Sequence, residues 1–122
     1  MRKIKLLVVD DSMLFREVLS RYIREDTEID VVGTAGDAYS ARDMILKFEP
    51  DVMTLDIEMP KMDGHHLTKQ IKDDPVLKSI PVYLFSSLIN DQMRIKGESV
   101  GADGQFSKPQ IGQLIQYLNE HI

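Results

Sequence analysis

The sequence contains no cysteine, and this absence excludes several kinds of chemistry. A chain without thiols forms no disulfide bond, offers no thiolate ligand to zinc and has no cysteine nucleophile. Chains without disulfides are the rule in the reducing cytoplasm, so we expect a cytoplasmic protein.

Long apolar runs are also missing. The longest stretch without a charged residue covers only residues 79–90, whereas a membrane-spanning helix needs roughly 18 apolar residues. The first apolar run does not have the pattern of a signal peptide, because Lys3 and Lys5 lie within it and Asp10 follows it. We therefore expect no membrane insertion.

A surplus of basic residues is absent as well. The chain has 15 Lys and Arg against 20 Asp and Glu, a net charge of −5. Proteins that bind nucleic acid present a basic face to the phosphates, so direct nucleic-acid binding is not expected. The length of 122 residues suits one domain, since domains typically contain roughly 100–200 residues. We expect residues 1–122 to form that domain.

Short aliphatic runs alternate with stretches of helical periodicity along the whole chain. The runs are continuously apolar, which is typical of parallel strands buried on both faces. Predicted strands cover residues 4–9, 29–34, 52–55, 82–85 and 105–107. Predicted helices cover residues 14–23, 38–48, a segment after Gly64, 91–100 with Asn90 as N-cap, and 111–122. This order predicts an α/β fold, a doubly wound parallel (βα)5 sheet with helices on both faces.

Polar residues follow the predicted strands. Ligands of open α/β sheets bind outside the carboxyl ends of the strands, so these residues are the candidates for a site. They are Asp10, Asp11, Asp56, Ser86, Ser87, Ser107 and Lys108. Three carboxylates, several hydroxyls and one ammonium group are therefore expected at one edge of the sheet.

Acids placed this close together need a counter-charge, because neighbouring negative charges raise each other's pKa. Either a divalent cation or Lys108 alone can supply it. Asp and Ser offer only hard oxygen ligands, so the cation that we expect is Mg²⁺ rather than zinc or copper. A competing interpretation is that the acids only cap the following helices. Their convergence with Lys108 favours a functional site.

Asp56 is the predicted phosphoacceptor. It ends the central apolar run alone, whereas Asp10 and Asp11 form a pair suited to holding an ion or its waters. A carboxylate beside a cation can attack phosphorus and form an aspartyl phosphate. Lys108 would balance the charge of the phosphoryl oxygens, and Ser86 would donate a hydrogen bond to one of them.

The ordered set of motifs resembles the receiver domains of two-component response regulators over essentially the whole chain. The matching segments are residues 8–12 (VVDDS), 50–60 (PDVMTLDIEMP), 62–64 (MDG), 81–86 (PVYLFS), 101–102 (GA) and 108–109 (KP). The resemblance implies the flavodoxin-like strand order 2-1-3-4-5. It also places Asp56 at the phosphoacceptor position. The implied metal ligands are Asp11, Asp56, the backbone carbonyl of Glu58 and, through water, Asp10.

Further roles follow from the same resemblance. Ser86 and Lys108 occupy the positions of the switch hydroxyl and of the phosphate-contacting lysine. The implied cofactor is Mg²⁺, and the implied phosphodonor is a histidine kinase. The implied output is a downstream protein bound through the face made by the fourth helix, fifth strand and fifth helix. Such a domain is not an enzyme toward other molecules, since it catalyses only its own phosphorylation and dephosphorylation.

Within the family, two subgroups are similar to different parts of the chain. Residues 10–12, 28–35 and 55–60 look like the receiver of chemotaxis methylesterases (CheB), and residues 85–109 are similar to the receiver of CheV coupling proteins. Both point to chemotaxis and to a CheA-like kinase. A stand-alone CheY-like regulator is the simplest expectation, and the receiver part of a longer CheB or CheV protein is the alternative.

The sequence also departs from the family pattern. Gln105 stands where many receivers have an aromatic switch residue, which puts a readout by aromatic rotation in doubt. His65 and Thr68 occupy third-helix positions that are usually apolar. Glu58 and Leu88 lie where relatives tune the lifetime of the phosphorylated state, so we expect altered autodephosphorylation.

Two other functions use similar residues. A haloacid-dehalogenase-like phosphohydrolase also has an Asp at a strand end and uses Mg²⁺. It would, however, have Asp-x-Asp where this chain has Asp10-Asp11, and such enzymes usually contain a cap domain, for which this chain has no room. A pseudo-receiver would bind partners without phosphorylation, and the intact acids with Lys108 argue against it. The adjacent His65 and His66 are not expected to chelate a metal, because neighbouring residues on a helix point in different directions.

Overall fold

Five strands follow the apolar runs of the sequence. They are β1 (Ile4–Val9), β2 (Ile29–Ala35), β3 (Val52–Asp56), β4 (Val82–Ser86) and β5 (Gly104–Ser107). The computed structural model describes residues 3–26, 28–59, 62–87 and 90–121, apart from the side chains of Pro109 and His121. All neighbouring strands are parallel, in the order β2-β1-β3-β4-β5. The predicted α/β sheet and its strand order 2-1-3-4-5 are therefore confirmed.

Helices alternate with the strands. They are α1 (Met13–Arg24), α2 (Ala38–Phe48), α3 (Gly64–Asp73), α4 (Asp91–Ser99) and α5 (Ile111–His121), with a 3₁₀ turn at Lys108–Gln110. Side chains of Ser12, Asp37, Asp63 and Asn90 cap the first four helices by accepting a backbone N–H. Ile122, which the sequence placed in the last helix, lies outside the described residues. Of the helices described, none is both long and apolar enough to cross a bilayer.

The core consists of two apolar layers, one on each face of the sheet. One layer packs α2 and α3 against the sheet through residues such as Ile45, Leu55 and Leu67. The other packs α1 and α5 through residues such as Leu19 and Leu114. Because strands β1, β3 and β4 are covered on both sides, they read as continuous apolar runs in the sequence.

Strands β3 and β4 extend one residue beyond the predicted apolar runs. Asp56 pairs with Phe85, and Ser86 pairs with Ser107 on β5. The polar side chains at these positions are therefore held by the sheet itself and are buried, with 1% of Asp56 and 0% of Ser86 exposed. Their positions are consequently set by strand pairing.

Helix α4 is the most polar helix of the fold, and Gly97 is its buried residue. It is capped by Asn90 at its start, as predicted, and Gly101 follows its last turn with φ of +91°. That left-handed conformation is one that glycine adopts without strain. The helix is therefore attached to the sheet with little apolar burial of its own.

Candidate functional site

Three acids meet at the carboxyl ends of β1 and β3. Ligand atoms of Asp10, Asp11 and Asp56 lie within 4.8 Å of one another. The strand order reverses between β1 and β3, which is where ligands of doubly wound sheets bind. In the part of the chain that the structure describes, these acids are the one group of at least three potential metal-ligating side chains. The sequence therefore predicted their convergence correctly.

Asp10 is fixed by its neighbours on α1. Its Oδ1 accepts a hydrogen bond of 2.8 Å from the backbone N–H of Ser12, and its backbone carbonyl accepts one of 2.7 Å from Nη1 of Arg16. Ser12 in turn caps α1 by accepting from the N–H of Phe15 at 3.2 Å. Asp10 is buried, while Asp11 is exposed.

The two carboxylate oxygens of Asp56 differ in their hydrogen bonding. Its Oδ1 accepts a hydrogen bond of 3.2 Å from the backbone N–H of Glu58. Its Oδ2 is buried, has no hydrogen-bond partner among the described residues, and lies 3.7 Å from Nζ of Lys108. Gly64 is required beside it, because a Cβ atom there would overlap the backbone carbonyl of Asp56. Oδ2 of Asp56 therefore has an acceptor capacity that no hydrogen bond from the described residues uses.

Lys108 reaches the acids from the turn after β5. Its Nζ lies 3.2 Å from Oδ2 of Asp10 and 4.7 Å from the centre of the Phe15 ring. The turn is held by Gln110, whose Oε1 accepts from the backbone N–H of Ser107 at 2.7 Å. Lys108 thus lies between two carboxylates, as the sequence predicted. No pattern in the sequence predicts the contact between Lys108 and the Phe15 ring.

Ser86 and Glu58 are joined across the site. The Ser86 hydroxyl donates a hydrogen bond to Oε1 of Glu58. Glu58 was predicted to contribute its backbone carbonyl, and its side-chain partner was not predicted. Ser87 is exposed. Leu88, the other position expected to tune the lifetime, lies outside the described residues.

The electrostatics of the site show a shortage of positive charge. Burial, the negative charge of Asp10 and a hydrogen bond with Asp11 together raise the pKa of Asp56 to about 8, because they outweigh the lowering by Lys108 and by the Glu58 N–H. Burial lowers the pKa of Lys108, but the charges of Asp10 and Asp56 outweigh this effect, so that its pKa is raised overall. Lys108 alone therefore does not neutralise the acids.

A divalent cation fits this donor set. The cluster offers only carboxylate and carbonyl oxygens, the hard ligands that Mg²⁺ prefers. Oδ2 of Asp56 lacks a hydrogen-bond partner among the described residues, and the pKa of Asp56 is raised. Both observations indicate that the site would accommodate one more positive charge. Of the two counter-charges that the sequence left open, the structure favours a cation together with Lys108.

The unusual residues of α3 lie away from this cluster. His65 and Thr68 are buried, and the Thr68 hydroxyl donates to the backbone carbonyl of Gly64 at 2.6 Å. Burial lowers the pKa of His65, whose Nε2 has no hydrogen-bond partner in the described part of the chain. His66, its neighbour on α3, is exposed. His65 has neighbours on α4, namely Met93 and Lys96.

Comparison with known proteins identifies the family. The sequence pattern of the response regulator receiver domain matches residues 6–119. The chain belongs to the response regulator receiver domain family. Receiver domains bind Mg²⁺ at an acidic pocket and are phosphorylated by histidine kinases. The match favours a receiver domain over the phosphohydrolase that the sequence alone left open.

Individual receiver domains are similar over nearly the whole chain. A protein-glutamate methylesterase/protein-glutamine glutaminase of Syntrophomonas wolfei is 42% identical over 113 residues, which cover 93% of this chain and 32% of that protein. The receiver domain of CheB from Thermotoga maritima is 33% identical with a TM-score of 0.82, covering 98% of this chain and 92% of that one. Chemotaxis protein CheY4 of Vibrio cholerae is 27% identical with a TM-score of 0.86, covering 98% and 99%. This receiver domain thus spans about a third of the length of the curated relative.

Proposed function

We propose that this receiver domain, taken as residues 1–122, is a phosphorylation switch in which Asp56 accepts a phosphoryl group from a histidine kinase. The observation that carries the proposal is the position of Oδ2 of Asp56. This oxygen is buried without a hydrogen-bond partner among the described residues, and it lies beside Lys108 and the two acids that follow β1. Attack by this oxygen on phosphorus forms the aspartyl phosphate, while the bond from phosphorus to the donor breaks and its electrons leave with the donor.

The chain supplies most of the groups that this transfer needs. Lys108 offers an ammonium group to the phosphoryl oxygens, and the Ser86 hydroxyl offers a hydrogen-bond donor once it leaves Glu58. Asp11, Asp56 and the backbone carbonyl of Glu58 would hold Mg²⁺, and Asp10 would bind it through water. When bound, this cation offsets the acids and polarises the phosphoryl oxygens. Asp10 and the backbone of Glu58 meanwhile orient the site.

The process in which the switch acts is proposed to be chemotaxis. The support is the similarity to the methylesterase of Syntrophomonas wolfei and to the chemotaxis receivers of known structure. A CheA-like kinase in the cytoplasm is then the phosphodonor. We also propose that the domain catalyses only its own phosphorylation and dephosphorylation. Its output would pass to a protein partner, or to another part of a longer protein, through the face formed by α4, β5 and α5.

Phosphorylation by a small phosphodonor tests the function directly. Incubation with acetyl phosphate and Mg²⁺ should add one phosphoryl group to the wild-type protein, as read by intact-protein mass spectrometry. Asp56→Asn should not be modified, and Asp30→Asn, which changes an exposed acid on β2, should behave as wild type. Equal modification of Asp56→Asn and wild type would contradict the proposal. Rapid turnover of a phosphomonoester would instead indicate a phosphohydrolase.

A further inference from the structure

Among the described residues, the ammonium group of Lys108 contacts two carboxylates and one aromatic ring. The carboxylates are those of Asp10 and Asp56, at 3.2 Å and 3.7 Å. The ring is that of Phe15, whose centre lies 4.7 Å from Nζ. This distance is within the range at which the negative face of an aromatic ring attracts a cation. The Phe15 ring therefore attracts the ammonium group of Lys108 in addition to the two carboxylates.

The Phe15 ring is anchored independently of the turn that carries Lys108. Its backbone N–H is bonded to Ser12 at the start of α1. Its ring meets the ring of Phe85 on β4 edge to face, with centres 5.6 Å apart and planes at 66°. It also packs against the core layer under α1 and α5. The ring is thus a fixed support, whereas Lys108 has a flexible four-carbon side chain.

We propose that Phe15 is a positioning residue for Lys108 in phosphoryl transfer, an inference that rests on the proposed function of the site. The ring attracts the ammonium group without carrying a formal charge. It therefore does not compete with phosphoryl oxygens as a third carboxylate would. Lys108 is kept beside Oδ2 of Asp56 and can turn to the phosphoryl group with little loss of side-chain entropy.

A double-mutant cycle with Lys108 separates positioning from general packing. Phe15→Leu keeps an apolar side chain but removes the ring face, and Phe15→Tyr keeps the ring. We expect Phe15→Leu to slow phosphorylation by acetyl phosphate at saturating Mg²⁺ about threefold to tenfold, a loss that lies within the range for one cation–π contact. Phe15→Tyr should stay within about twofold of wild type. In a Lys108→Met background, Phe15→Leu should cause no further loss.

Nuclear magnetic resonance provides a readout that does not require activity. The Cε methylene protons of Lys108, assigned by their disappearance in Lys108→Met, should be shifted upfield by the Phe15 ring. The shift should persist in Phe15→Tyr and vanish in Phe15→Leu. An equal loss of rate in both Lys108 backgrounds, or no upfield shift in the wild type, would overturn the inference. If the wild type accepts no phosphoryl group, the proposed function fails while the resonance still reports the contact.

Discussion

Gly97 on α4 lies directly against the side-chain amide of Gln105 on β5. A Cβ atom built on Gly97 would be 2.5 Å from Cδ of Gln105. The Nε2 of Gln105 donates a hydrogen bond of 3.0 Å to the backbone carbonyl of Arg94, one turn earlier on the same helix. Gln105 thus attaches β5 to α4 through an amide, at the position where many receivers have an aromatic residue.

This contact predicts that the effect of Gly97→Ala on stability depends on the residue at position 105. Alanine stabilises a helix by about 1 kcal/mol relative to glycine. In the wild type this gain is offset, because the new methyl group expels the Gln105 amide from its bond to Arg94, a loss of about 1 kcal/mol. We expect little net change in the free energy of unfolding measured by urea denaturation.

In the Gln105→Ala background, by contrast, Gly97→Ala should raise the free energy of unfolding by about 1 kcal/mol. The double-mutant cycle compares the two backgrounds directly. The same change in both would show that Gly97 and Gln105 are not coupled.

The hydrogen bond from Ser86 to Glu58 predicts a restraint on phosphorylation. The hydroxyl must leave the Glu58 carboxylate before it can bond to a phosphoryl oxygen. Glu58→Ala should therefore accelerate phosphorylation by acetyl phosphate about threefold, the effect of freeing one hydrogen-bond donor. It should also alter the lifetime of the phosphorylated state. Both quantities are measured by mass spectrometry over time.

Ser86→Ala provides the matched background, in which Glu58→Ala should change the phosphorylation rate no further. Leu88→Ala tests the second position that the sequence associates with the lifetime. Equal lifetimes in wild type, Glu58→Ala and Leu88→Ala would refute the expectation of altered autodephosphorylation.

The raised pKa of Asp56 predicts how stability without Mg²⁺ depends on pH. The pKa is about 8 in the folded protein and 3.8 for an ordinary Asp. Between these values the folded protein holds a proton that the unfolded chain has released, so the free energy of unfolding falls as pH rises from about 4 to about 8. Asp56→Asn should therefore be more stable than wild type near pH 8 and closer to it near pH 5. Thermal denaturation followed by circular dichroism measures this difference, with Asp30→Asn as control.

Mg²⁺ should reverse the deficit near pH 8, because a bound cation stabilises the ionised Asp56. Its addition should raise the melting temperature of wild type more than that of Asp56→Asn. If the two proteins responded equally to Mg²⁺ and to pH, Asp56 would not belong to the metal site.

The buried imidazole of His65 predicts a loss of stability in acid. Burial lowers its pKa in the folded protein below the ordinary value of 6.5. The unfolded chain therefore takes up a proton more readily, and this contribution to stability is lost as pH falls through about 6.5. The groups facing His65 include Asp63 and Lys96. Between pH 7.5 and 5.5, His65→Leu should lose less stability than wild type in urea denaturation.

His66→Leu, an exposed change on the same helix, provides the matched control and should lose as much stability as wild type. An identical pH dependence in His65→Leu and His66→Leu would show that the buried imidazole does not contribute.

The fold and the acids of the site were predictable because they depend on local patterns. Buried parallel strands are continuously apolar, and the polar residues that end them mark the ligand edge of the sheet. Asp10, Asp11, Asp56 and Lys108 were found in this way. The strand order came from the family resemblance, since periodicity alone does not specify which strands are neighbours.

The pairings between elements were not predictable, because they depend on how side chains meet after folding. The sequence marks Gly97 only as a weak point of α4, and the reason for a glycine is the amide of Gln105. Likewise, nothing local indicates that Glu58 accepts from Ser86 or that the ring of Phe15 lies beside Lys108. These contacts join residues far apart in the chain or on different elements.

Chemical mapping of the modified residue shows whether Asp56 itself carries the phosphoryl group. Borohydride reduces an aspartyl phosphate to homoserine, which peptide mass spectrometry locates in the sequence. After treatment with acetyl phosphate and Mg²⁺, we expect homoserine at position 56 and at no other acid. Homoserine at Asp10 or Asp11, or none at any position despite stable phosphorylation, would contradict this expectation.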